Sequence, residues 1–174
     1  MSKKKQRSTS ADSIESRCAA AEKQHKAKQK QENECEPISL FTHEEYLSYL
    51  DMIESDTAKI VLVQPDGINT ADPIIKTAQK KMPLEAKRRT NEWYGTITLG
   101  TPGMEYTFTK TTAFFDYLRT FESFFIETNE IPYEFRLTQF GNNDIAFIDK
   151  NGDLLFYTTT HEGDAYLNVR YNAR

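Results

Sequence analysis

Aromatic residues are missing from the first forty positions; the first is Phe41, and the other twenty follow it. A stretch without them buries too little apolar surface to offset the entropy of ordering, which excludes residues 1–36 from the core. Cysteine is scarce as well. Cys18 and Cys35 both fall in that stretch, seventeen residues apart, so the body holds no disulfide and the spacing fits neither a CxxC pair nor a zinc half-site. A reducing, cytoplasmic setting is expected. No window approaches the ~20 apolar residues of a membrane span. MSKKKQRSTS is basic with no apolar run behind it, unlike a secretory signal. A soluble protein without membrane contact is therefore expected. GxSxG, HExxH and glycine-rich phosphate loops are absent, and with them the commonest signatures of hydrolases, metalloproteases and nucleotide enzymes. No catalytic set, metal or cofactor is expected.

Charge divides where the aromatics begin. Residues 1–35 hold nine Lys or Arg against five acids, and the remainder holds 13 bases against 21 acids. We read a basic extension over 1–36 and a single α+β domain over 37–174, a size sufficient for one core. The extension is rich in Ala, Lys, Gln and Glu, and its apolar positions stop after two turns. A frayed helix or a disordered arm is expected there.

Thr42 with Glu45 three residues on forms a capping box, and Tyr46, Leu47, Leu50 and Ile53 give the helix behind it an apolar face. KIVLVQ (59–64) is apolar on both faces, as a central strand is. A weaker helix is expected over 71–81, with Pro73 in its first turn. Residues 93–99 and 105–109 alternate around GTPG and read as a hairpin. TTAFFDYLRTFESFFIET (111–128) repeats its phenylalanines at helical spacing and is expected to be one long aromatic helix packed across the sheet. The last third reads as four strands, 133–140, 144–149, 153–160 and 165–171, joined by glycine turns into an antiparallel meander.

Asp149, Asn151 and Asp153 alternate like the start of a calcium loop. Position six is Leu154 and position twelve Thr160, where such a loop needs Gly and Glu, so the segment reads as a hairpin turn. This hairpin resembles the central ones of PAS and Cache sensor modules, without their ligand signature. His161, Glu162 and Asp164 crowd the next turn, and a histidine between carboxylates has the parts of a general base.

Acids dominate the body. The meander turns carry Asp144, Asp149, Asp153, Glu162 and Asp164, which would form one negative rim with His161 beside it and Tyr157 as an aromatic anchor. In size and composition the chain is similar to small bacterial immunity and inhibitor proteins. The function expected is a non-catalytic protein-binding module, monomeric or weakly dimeric, meeting a basic partner through that rim. The alternative is a nucleic-acid-associated protein that uses Lys3, Lys4, Lys5 and Arg7 of the arm with Lys80, Lys81, Lys87, Arg88 and Arg89, and with Trp93 and Tyr94 available for stacking. A small enzyme centred on His161 is the third reading.

Overall fold

The computed structural model describes residues 11–65, 72–127 and 134–171, with backbone alone for 11–15 and 17. Helix α1 (Ala11–Glu32) leads into strand β1 (Cys35–Ile38), helix α2 (His43–Glu54), strand β2 (Thr57–Gln64) and helix α3 (Pro73–Lys81). Strand β3 (Leu84–Thr90), the two-residue strands β4 (Glu92–Trp93) and β5 (Thr96–Ile97), strand β6 (Gly103–Thr109) and helix α4 (Thr112–Leu118) follow. The chain closes with β7 (Phe125–Glu127), β8 (Phe135–Leu137), β9 (Asp144–Asp149), β10 (Leu154–Thr159) and β11 (Asp164–Asn168). Seven strands form one sheet in the order β1-β11-β10-β9-β2-β6-β3, antiparallel throughout. The fold is α+β.

The alternation of β2 decides which residue belongs to which layer. Ile60 and Leu62 face the main core, whereas Val61 and Val63 face a smaller cluster on the other side. The main core lies under α2, α3 and α4. Thr42 caps α2 in a complete capping box with Glu45, which turns Tyr46, Leu50 and Ile53 inward. Asp72 caps α3, with Pro73 in its first turn, and Ile74, Ile75 and Ala78 are its buried side. The Tyr46 hydroxyl donates to the Leu118 carbonyl (2.7 Å) and Arg119 pairs with Asp51 and Glu54, so the end of α4 is tied to α2.

Three expectations change. The helix read over 111–128 ends at Leu118, because Phe121, Phe124 and Phe125 pack in different directions. Phe124 meets Tyr46 and Phe140 edge-on at 5.0 and 4.9 Å, while Phe125 starts β7, whose Glu127 carboxylate accepts the Leu40 amide (2.8 Å). The hairpin partner of β6 is β3, the basic segment; 93–99 forms instead the miniature β4–β5 ribbon. Of the four strands read in the last third, three form the meander β9-β10-β11, and β8 pairs with β7 in a separate ribbon.

The boundary read at 36–37 falls inside β1, which pairs with β11. Both sheet edges carry the usual protection against further pairing: Pro37 on β1, and Lys87, Arg88 and Arg89 on β3. Among the described residues, no helix is long and apolar enough to cross a membrane.

Candidate functional site

The register brings four connections to one end of the sheet. β2 ends there, β9 begins there, the 91–102 segment joins β3 to β6, and the 160–163 turn joins β10 to β11. Asp144, the first residue of β9, holds this end together. It is 2 % exposed, and its carboxylate accepts from the Trp93 indole (2.6 Å), the Thr160 amide (2.7 Å) and His161 Nδ1 (3.2 Å). A buried carboxylate is tolerated only when donors replace its lost water, and here two segments far apart in sequence, at Trp93 and at Thr160–His161, supply them.

Two close approaches fix the neighbouring turns. Gly95 has φ +74°, and a Cβ there would lie 2.5 Å from the Thr159 methyl and 2.9 Å from the Tyr157 ring. Gly163 has φ +78°, and a Cβ there would overlap the Phe135 ring. The β4–β5 ribbon is thereby seated on β10, and β8 braces the acidic turn. From these frames Glu162 and Asp164 stand exposed, and the 91–102 segment exposes Ile97 (65 %) and Leu99 (101 %).

His161 and Asp144 have the parts of an oriented proton acceptor. The other imidazole nitrogen faces Glu162 Oε1 at 3.6 Å. The cavity beside Asp144, lined by Val61, Val63, Trp93, Tyr94, Ala146 and Thr158, measures about 10 Å³, room for about one water molecule. Among the described residues no group of three or more His, Cys, Asp or Glu is placed to hold a metal.

The acids read as one rim occupy both ends of the sheet. Asp149 and Asp153 lie at the far end, the length of β9 from Asp144, which at ~3.3 Å per residue is about 16 Å. Asp149 is buried, and its Oδ1 accepts the amides of Asn151 (2.8 Å) and Asp153 (2.9 Å). Burial alone would raise its pKa; those amides and Arg170 outweigh burial and hold it below the usual carboxylate value. The same end has an open depression of about 390 Å³ lined by Ser55, Asp56, Thr57, Asp149, Lys150 and Arg170. Among its lining groups Arg170 is paired with Asp149 (3.3 Å), and Asp56 accepts from the Tyr171 hydroxyl (2.7 Å). Tyr157 is 5 % exposed and stacked on Tyr166, so it is no outward anchor. Of the rim, the structure leaves Glu162 and Asp164 together, with His161 a quarter exposed beside them.

The basic set is split too. Lys80 and Lys81 close α3, while Lys87, Arg88 and Arg89 are on β3. Arg88 forks onto Glu105 (2.6 and 3.1 Å), Lys87 lies over the Tyr106 ring and Lys81 over Tyr117. Trp93 is buried and Tyr94 leans on Tyr157, so neither presents a face for a base to stack on. Lys3, Lys4, Lys5 and Arg7 lie outside the described residues.

The sequence reading missed Ile97 and Leu99 as exposed residues. The signal was the density of Gly95, Gly100, Pro102 and Gly103 around them, which argues for a loop and against a strand. No protein-family model, curated protein or solved structure matches this chain.

Proposed function

We propose that the protein is a non-catalytic binding module that meets a basic protein through the Asp144 end of its sheet. The observation that carries this reading is the Asp144 carboxylate, which ties the segment exposing Ile97 and Leu99 to the turn exposing Glu162 and Asp164. Apolar side chains beside a fixed pair of carboxylates suit a basic surface with an apolar spot. The apolar pair would supply affinity, and the carboxylates encounter rate and selection. An inhibitor or immunity-type role, blocking the partner by occupying its surface, is the form we favour.

The test is capture of a partner from the source cell by the full chain, with and without nuclease, followed by affinity measurement. Glu162→Lys with Asp164→Lys is expected to weaken the complex by at least about tenfold, whereas Asp153→Lys at the far end leaves it unchanged. Equal effects of the two changes would sink the reading. A nucleic-acid role is favoured by one observation, the run of exposed bases along β3 and the end of α3. Nuclease-sensitive capture with a steep salt dependence would select it.

A further inference from the structure

The sheet face turned away from α2, α3 and α4 carries two stacked tyrosines, and a third, from the turn of the β4–β5 ribbon, lies beside them. Tyr157 of β10 stacks on Tyr166 of β11, with centroids 4.6 Å apart and planes 9° apart, and Tyr94 leans on Tyr157 at 6.1 Å. Val61, Val63, Trp93, Ala146 and Leu154 complete the apolar cluster around them. The C-terminal half of α1 lies over the tyrosines, with Lys28 Nζ 5.4 Å from the Tyr94 ring centre.

A helix on an apolar floor ordinarily turns an apolar stripe towards it. α1 does not. Its partly buried positions, at helical spacing, are His25, Lys28, Gln31 and Glu32, while Ala19, Ala20, Ala21 and Ala27 are exposed. N-terminal to His25 every described side chain is exposed.

Polar contacts hold α1 in place. His25 Nδ1 meets Glu92 Oε1 (2.9 Å), Lys28 donates to the Glu92 carbonyl (2.9 Å) and Gln31 to the Gly152 carbonyl (2.8 Å). Tyr94 donates to Gln31 (3.1 Å), and the Gly95 amide to Glu32 (2.9 Å). Burial pulls the Lys28 ammonium below its usual pKa, against the pull of Glu105. Desolvating charge without covering apolar side chains gives a weak hold.

We propose that this face is a helix seat with an ill-matched resident, and that a basic amphipathic helix of a partner protein displaces α1 from it. The seat already accommodates a helix. Its rim offers a charged acceptor, the Glu92 carboxylate, which calls for Lys or Arg at the position of His25. Its tyrosine floor calls for apolar side chains where α1 presents Gln31. The seat is on the face of the sheet and not on its Asp144 end, so it stands or falls separately from the reading above.

The native cysteines supply the assay. Cys18 is exposed, whereas Cys35 is half-buried, and burial with Glu34 and Glu32 nearby pushes its thiol up to about 12. A thiol-reactive dye at neutral pH therefore labels Cys18 of the full chain selectively. The labelled protein is titrated with two synthetic peptides of residues 16–34, one unaltered and one carrying His25→Lys and Gln31→Leu with Lys28 kept. The leucine peptide is expected to bind at least about tenfold more tightly and to lower the dye anisotropy as α1 lifts. Lys28→Glu in the full chain, which sets a carboxylate beside Glu92, should loosen α1 and tighten binding of the leucine peptide further.

Failure of both peptides to bind, or equal binding by both, overturns the proposal. So does anisotropy that depends on protein concentration alone with dimers on cross-linking, since the occupant is then a second copy. So does exchange of the 25–32 amides only with global unfolding.

Discussion

Asp144 and Asp149 open and close the same strand and show how little a residue's type says about its role. Both looked like surface acids of a turn-rich segment; both are buried and saturated with donors. The backbone donors of Asp149 come from its own turn, Asn151 and Asp153, and its Asp-Lys-Asn-Gly-Asp string makes that part readable, whereas Arg170 joins from outside the turn. The donors of Asp144 come from Trp93 and from the end of the next strand, and no local pattern announces them. A measurable consequence attaches to Asp149. Its native pKa lies below the ordinary 3.8, so the ionised form is the one the fold prefers. The resulting stability is present above the ordinary value and is lost as pH falls through the lowered one. Asp149→Asn should cost about 2 kcal/mol at pH 7 in urea denaturation, and the gap to the parent chain should close below about pH 4. A gap that persists into acid would show that packing at this position, not charge, is what matters.

Among the elements, helices reveal most about the limits of periodicity. Thr42 and Glu45 specify α2 because a capping box is local chemistry, complete within four residues. The phenylalanines of 111–128 have helical spacing and yet the helix stops at Leu118, because Phe124 and Phe125 are claimed by the Phe140 ring and the β7–β8 ribbon. α1 presents the opposite case: no apolar stripe, yet a 22-residue helix whose second half is docked. Its hold can be tuned in a predictable direction. Lys28→Met removes a desolvated ammonium and keeps an apolar stem on Tyr94. The Glu92 carbonyl stays satisfied by the Thr90 hydroxyl (2.7 Å). Amide exchange over 25–32 should slow by roughly threefold to tenfold, about 1 kcal/mol of added local stability. Faster exchange would mean that the Lys28 bond itself is what retains the helix.

At the scale of the whole molecule, the charge asymmetry of the sequence becomes a spatial one. The basic residues of 87–89 occupy the β3 edge, whose seven residues are exposed or half-exposed along their length and pair only with β6. Lysine and arginine on such an edge oppose pairing with another chain. Lys87→Val with Arg89→Val should therefore give concentration-dependent association in light scattering while the parent chain stays monodisperse. No change would assign the protection to Arg88 and the register irregularity near Leu84.

Local chemistry was enough to determine the α+β class, the capped α2, the central β2 and the glycine turns between β9, β10 and β11. Each of these depends on alternation, capping or turn residues within a few positions of one another. Only the tertiary structure decided where the phenylalanine helix ends, that β3 and not 93–99 pairs with β6, and that α1 lies on the tyrosine face. It also decided that the acids of the last third divide between two ends of the sheet. The last two rest on contacts across fifty or more residues, such as Trp93 with Asp144 and His25 with Glu92, in which neither partner carries a local sign of the other. Strand register is what brings such partners together, and register is a property of the assembled sheet.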